Sequence, residues 1–164
     1  MRLNEKIVIS APCEAVWDYL DNPENYLHFL HGVTRWEVVS EQKSGLGTRI
    51  RMLIRIGSAE VGSLVEVVEW REQSDIAWSS VTGIDQRGRW MIRKLGDGRT
   101  KVEMRWAYGV AGGGIFGIIS EMIAAPTLAS HLRRSLHQLK RQVEHEQLRA
   151  EAARRRAQRE TAKT

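Results

Sequence analysis

Cysteine is nearly missing from this sequence: Cys13 is the one thiol among 164 residues. An internal disulfide framework is excluded, and so is a metal site built from clustered cysteines. A lone thiol also suits a reducing compartment, so the expected localisation is cytoplasmic. Long apolar runs are missing too. No stretch of about 18 uninterrupted apolar residues occurs, so no spanning helix is expected. The opening "MRLNEKIVIS" lacks the apolar segment of a signal peptide. Charge of one sign is in short supply as well: the net charge is +5, from 25 Lys+Arg against 20 Asp+Glu. Residues 144–164 hold six Lys/Arg and four Asp/Glu, which leaves +3 for everything before them. That is too little asymmetry for a nucleic-acid partner. A glycine cluster does occur, in "YGVAGGGIFGIISEMIAAP" at 108–126. It lacks the lysine and the Ser/Thr that a phosphate-binding loop requires before its helix, so no nucleotide is expected there.

What is present is a sharp change of periodicity along the chain. "KIVIS" reads as a first strand. "APCEAVWDYLDNPENY" follows as a helix with Pro12 in its first turn, Val16, Trp17 and Leu20 on one face, and Asn22-Pro23 as its stop. "PENYLHFLHG" reads as a second short helix ending at Gly32. From residue 33 to about 108 the apolar period falls to two. Ile50, Met52, Ile54 and Ile56 oppose Arg49, Arg51 and Arg55; Val102, Met104, Trp106 and Tyr108 oppose Lys101, Glu103 and Arg105. Such alternation marks antiparallel strands with one buried face. Turn signals at Ser44-Gly45, Gly57-Ser58, Ser74-Asp75, Asp85-Gln86 and 96–99 divide this region into about six strands, seven with the first. After it, Ile115, Ile119, Met122, Ala129, Leu132, Leu136, Leu139 and Val143 follow helical spacing. Pro126 is expected to kink or divide that helix. Beyond Val143 the apolar stripe fades, and 144–164 reads as a basic helical extension or a disordered tail on a domain of residues 1–143.

Strand, two short helices, six strands and a long helix make an α+β domain. A sheet this wide must cover its apolar face, and the C-terminal helix is the element long enough to do so. A curved sheet around one helix rarely closes completely, so a cavity between them is expected.

This order, with "ISAPCEAVWDYLDNPENYLHFLHGV", "GLGTRIRM", "VVEWREQSDIAWSS", "RGRWMIRKLGDGRTKVEMRWAY" and "LASHLRRSLHQLKRQVE", resembles the helix-grip proteins. These form the START-related, birch-pollen-allergen-like (SRPBCC) superfamily. Within it the chain is most similar to the polyketide cyclase/dehydrase and lipid-transport group, over roughly residues 3–143. The resemblance implies an antiparallel sheet of about seven strands curved around the terminal helix, enclosing a site for a hydrophobic small molecule such as a lipid, an isoprenoid quinone or a polyketide. It does not imply a particular chemistry, because one fold hosts many functions.

Candidate site residues follow from the buried phase of each element. Met52, Ile54, Trp90, Met104 and Trp106 fall on inward positions, and Trp78 shares its face with Ile76, Ser80 and Thr82. With Phe116, Ile119, Met122 and Ile123 on the helix, they are the expected ligand-binding lining. Plain core packing is the competing reading for each. The segment at Gly112–Gly114 reads as a strand-to-helix joint that either merely turns the chain or borders the cavity mouth; Ile115, Phe116, Ile118 and Ile119 beside it form an apolar knot. An enzyme of the cyclase or dehydratase type needs an acid and a base, for which His28, His31, Tyr26 and Tyr108 are the catalytic candidates, against a solvated or capping role for each histidine. His131, His137 and His145 lack a metal-ligand pattern, so no metal and no cofactor is expected. Cys13 stands at a helix start, where a thiol pKa can fall, but without a partner base it is expected to pack. "ARRRAQR" reads as a solvated helix face. Its sharper readings are transient contact with an anionic membrane surface, or association with a regulated partner.

Overall fold

The computed structural model describes residues 2–109 and 114–162, with side chains for 2–109 and 125–162. Strand β1 (Arg2–Ile9) leads into helix α1 (Cys13–Asp21), a 3-10 turn at Pro23–Asn25 and one helical turn, α2 (Tyr26–Phe29). Six strands follow: β2 (Val33–Val38), β3 (Arg49–Ile56), β4 (Ala59–Arg71), β5 (Asp75–Gly83), β6 (Asp85–Lys94) and β7 (Thr100–Gly109). Helix α3 (Gly114–Thr161) completes the chain. The strands form one antiparallel sheet in the order β1-β7-β6-β5-β4-β3-β2, so the meander closes by laying β7 against β1. This is the helix-grip architecture.

Each strand owes its place to alternation. In β3, Ile50, Met52 and Ile54 are buried while the arginines between them are exposed; in β6, Gln86, Gly88, Trp90 and Ile92 are buried in the same way. Curvature comes from irregular register. The β4–β5 pairing shifts between Leu64 and Val65 and again between Val67 and Glu69, and β2–β3 shifts between Val33 and Arg35. An unpaired residue bends its strand and increases its twist.

Helix α3 lies in the hollow. Leu128, Leu132, Leu136, Leu139 and Val143 repeat every three or four residues and are all buried, as an amphipathic helix on a sheet requires. Polar ties hold it along the first strand: Lys140 Nζ donates to the Val8 carbonyl at 2.7 Å, and the Ser10 amide donates to Glu144 Oε1 at 2.7 Å. The Ser135 hydroxyl accepts the His31 amide at 2.8 Å and donates to the His131 carbonyl at 2.7 Å, which fixes α2 to α3.

Two expectations change, at Pro126 and at Asp85-Gln86, while Cys13 packs as expected. Helix α3 runs unbroken through Pro126 rather than dividing there. Asp85 and Gln86 belong to a strand, not to a turn, and Gln86 is buried because it keeps the inward phase of Trp90. Cys13 is buried, and its thiol donates to the Gln73 carbonyl at 3.4 Å. Burial first, then the Glu14 charge, push that thiol up rather than down. No helix among the described residues is long and apolar enough to cross a membrane.

Candidate functional site

Two small voids lie on the inner face, where the sheet meets α3. The first, about 20 Å³, is walled by Tyr26, Trp36, Trp78, Trp90 and His131, with Met52 and Trp106 along one side. The second, about 30 Å³, lies beyond these two residues toward Gln86, Ser63, Tyr108 and Leu128. Each is the size of about one water molecule. The expected cavity is therefore largely occupied by its own aromatic walls among the described residues.

Gln86 holds the partition between the voids. Its Oε1 accepts from Trp106 Nε1 at 2.9 Å, while Nε2 donates to the Ser63 hydroxyl and reaches Met52 Sδ at 3.2 Å. Gln86 is 5% exposed and Ser63 8%, so this polar network sits inside an apolar wall and is satisfied there. Trp106 and Met52 thus have fixed positions without being covalently confined.

The first void is different. Trp36 Nε1, Trp78 Nε1, Trp90 Nε1 and His131 Nδ1 are all buried without a hydrogen-bond partner. The Trp90 N–H interacts with the Tyr26 hydroxyl, but not at hydrogen-bond geometry. Two glycines make room for these rings. Gly88 sits opposite Trp78 in the β5–β6 register, and a side chain there would collide with the indole. Gly32, at φ +80°, does the same for the imidazole of His131. Tyr26 stacks on Trp36 with centroids 4.4 Å apart and an interplanar angle of 6°, and Phe29 meets Trp90 edge-on at 6.0 Å.

Electrostatics keep the walls uncharged. Burial raises the Tyr26 phenol far above its ordinary value, with the Asp21 charge adding to it. Burial lowers the His131 imidazole, and His31 and Arg134 lower it further. Both groups are neutral near pH 7. For His131 the consequence for stability has a definite sign. A histidine with a depressed folded pKa contributes stability that is complete above its unfolded value of about 6.5 and is lost as pH falls through the folded value. His131→Gln should flatten that part of the stability curve in urea titrations below about pH 6.5; an unchanged slope would show that His131 is not the titrating group.

Of the positions expected to face inward, Met52, Ile54, Trp78, Trp90 and Met104 are buried and Trp106 is half-buried. Met52, Trp78, Trp90, Met104 and Trp106 border the first void, and Ile54 borders the second with Met52 and Trp106. Phe116, Ile119, Met122 and Ile123, with the Gly112–Gly114 joint and the apolar knot, lie outside the described side chains. Among the catalytic candidates, Tyr26 and His31 border the first void and Tyr108 the second, whereas His28 is exposed and borders neither. Trp36, Gln86 and His131 were not anticipated. Gln86 had a signal, a polar residue in phase with buried ones. His131 also had one, since it lies beside the Leu128–Leu132–Leu136 stripe.

A larger depression, about 660 Å³ and open to solvent, lies on the opposite face of the sheet. Short side chains at Ala77, Ser79 and Ala107 floor it, and Arg2, Arg87, Arg89 and Arg105 border it. Arg89 pairs with Glu69, and Arg105 with Glu103 at 2.9 Å. Its size reflects a bent sheet with small residues, whereas the inner wall holds buried nitrogens without a partner, so the inner face is the candidate site.

The family model for polyketide cyclase/dehydrase and lipid transport matches residues 1–144. The chain belongs to that family. Solved structures agree on the fold. A Thermus thermophilus protein is 23% identical, with 87% of this chain and 97% of that one covered at a TM-score of 0.75. A START superfamily protein from Mycobacterium smegmatis is 17% identical, with 88% and 97% covered and a TM-score of 0.68. The Zhui aromatase/cyclase from a Streptomyces species is 16% identical, with 88% and 93% covered and a TM-score of 0.69. At these identities the likeness concerns the fold alone. No curated protein matches the chain.

Proposed function

We propose that this family member binds a hydrophobic small molecule between the inner face of its sheet and α3, as a carrier or receptor rather than as a catalyst. The observation that carries the reading is an aromatic inner wall with buried, unpartnered nitrogens. A finished core satisfies its buried polar groups; a binding site leaves them for its ligand. The family's description includes lipid transport, and one structural neighbour is an aromatase/cyclase, both of which fit an apolar or polycyclic guest.

Tyr26 and His131 are not tuned as an acid–base pair. A catalytic acid or base works best with a pKa near the operating pH. Here the Tyr26 phenol is driven up and the His131 imidazole down, each away from neutrality. A cyclase or dehydratase reading would rest instead on His31 and Tyr108, which also border the voids.

A whole ligand exceeds the two voids, since small-molecule pockets usually measure about 300–1,000 Å³. Binding therefore requires the walls to move. Met52 and Trp106 border both voids, so their displacement joins the two. Burying a few hundred Å² of apolar ligand surface, at about 25 cal/mol per Å², contributes about 5–8 kcal/mol before ordering costs.

Native mass spectrometry of the purified protein, with titration by an apolar fluorophore, tests the reading. A retained apolar molecule, or displaceable fluorophore binding, supports it; neither under any condition would sink it. Gln86→Leu should speed fluorophore uptake several-fold in stopped-flow mixing, because Trp106 and Met52 lose their tether. It should also cost about 1–3 kcal/mol of stability, because Trp106 Nε1 and Ser63 Oγ lose their partner. Unchanged uptake would mean that the partition does not control access.

A further inference from the structure

The outer face of the sheet carries a charge arrangement that binding at the inner face does not use. The depression there, about 660 Å³, is bordered by Arg2, Arg87, Arg89 and Arg105 and by no carboxylate. Strand register concentrates these arginines. Arg2 and Arg87 flank Ala107 in one cross-strand row, and Arg105 and Arg89 stand directly opposite each other in the next. Like charges directly opposite destabilise a sheet, so this placement costs stability rather than adding to it. Elsewhere on the strands the cost is avoided: Arg49 pairs with Glu66, Arg51 with Glu37, Arg55 with Glu60 and Arg93 with Asp75. Of the arginines around the depression, Arg89 has Glu69 and Arg105 has Glu103. Arg2 and Arg87 are exposed and have no carboxylate partner among the described residues. Asp85, on the same strand as Arg87, accepts instead from the Ser80 hydroxyl at 3.3 Å.

We infer that this depression binds a phosphate monoester group, held by the guanidinium groups of Arg2 and Arg87 over Ala107. Charge selects the group. Two unpaired cations are matched by one dianion, and a phosphate monoester carries about two negative charges near pH 7. A single carboxylate would leave one of the cations unmatched. Geometry agrees with charge. Two strand spacings, about 10 Å, separate the backbones of Arg2 and Arg87, and the short Ala107 between them leaves the space above it open. Each guanidinium presents a planar fork of N–H donors that meets phosphate oxygens two at a time. Ser79, opposite Arg87 in the β5–β6 register, adds a hydroxyl to the floor. The arginines surround a hollow rather than running in a stripe, which suits one compact group and not an extended polyanion. This site is independent of the inner-face binding, so either can fail alone. The same group is offered by a soluble phosphate ester and by the headgroup of phosphatidic acid in a membrane.

Two assays on the full chain distinguish the sources: titration calorimetry with glycerol 3-phosphate, and cosedimentation with phosphatidylcholine vesicles with and without phosphatidic acid. Arg2→Gln and Arg87→Gln should each weaken glycerol 3-phosphate binding about tenfold, the effect of losing one charge-assisted contact in an open site. Both positions are exposed, so the substitutions leave the fold intact. Arg51→Gln removes an arginine that already has a carboxylate partner and should leave the affinity within about twofold. Acetate, with one charge, should bind about tenfold more weakly than the ester. This pattern supports the inference and identifies a soluble ester. Cosedimentation that needs phosphatidic acid and falls in both variants, without glycerol 3-phosphate binding, also supports it and assigns the phosphate to a lipid headgroup. Cosedimentation that survives both substitutions unchanged overturns it and places the attraction in the basic residues of 144–164. Glycerol 3-phosphate binding that survives both substitutions, acetate binding as tightly as the ester, or no binding in either assay overturns it as well.

Discussion

Trp90→Ala should destabilise the protein by about 3–5 kcal/mol, enough to leave many small domains largely unfolded at physiological temperature. Trp90 is 0% exposed and occupies the middle of β6. Its direct cross-strand neighbours are Ile76 on β5 and Met104 on β7, both buried. Phe29 reaches it edge-on from α2. Truncation therefore removes contacts to two strands and to α2. The resulting hole is walled by rings, which cannot collapse into it as flexible chains would, and the cost of a cavity depends on how far its walls relax. Equilibrium urea unfolding measures the loss directly. Trp90→Phe should lose far less, since a ring still fills most of the site. A loss below about 1 kcal/mol for the alanine variant would mean that the inner wall is not packed as described.

The second large effect lies on the outer face. Asp75→Ala should cost about 2–3 kcal/mol. The Asp75 side chain is 4% exposed; Ser74 Oγ donates to it at 2.5 Å, and Arg93 and Arg89 approach at 3.3 and 3.6 Å. The estimate stays below that for a fully buried ion pair because the two arginines are 51% and 38% exposed and regain water when the carboxylate is removed. Burial alone would raise the Asp75 carboxyl, but the Ser74 hydrogen bond and the Arg93 and Arg89 charges outweigh it and hold the group below the usual carboxylate range. A depressed folded pKa fixes the sign. The stabilisation is complete above the unfolded value of about 3.9 and disappears as pH falls through the lower folded value. Acid titration of Asp75→Asn should therefore lack this part of the acid limb; if wild type and variant lose stability in parallel below about pH 4, another carboxylate is responsible.

Much of the fold was legible because alternation reports burial residue by residue. Strand β3 could be read from its arginines, and the buried face of β7 from Val102 and Met104. The turn assigned to Asp85-Gln86 failed for a physical reason: polar residues signal turns only if water reaches them, and the glutamine instead meets Ser63, Met52 and Trp106 across three other strands. Trp78 illustrates another limit. Its strand pairs with β4 through shifted register, so the phase deduced from neighbouring residues is uncertain until the partner strands are known. For His131, motif spacing looked for metal ligands and found none, whereas its actual significance is that Gly32, about a hundred residues earlier, leaves space for its ring. Pairings of that kind belong to the tertiary structure and leave no local mark. Pro126 does not divide α3, because its neighbours continue the helix despite the lost backbone bond.

The glycine at 88 also sets how the site can diverge. Since any side chain there would displace the Trp78 indole from the sheet toward α3, a single added carbon would shrink the inner void while every residue lining it stayed the same. Volume and lining are thereby placed under separate control: the backbone of β6 limits how much space exists, and the residues around the void stay as they are. A protein built this way can change the volume of its interior without replacing any of the side chains that face it.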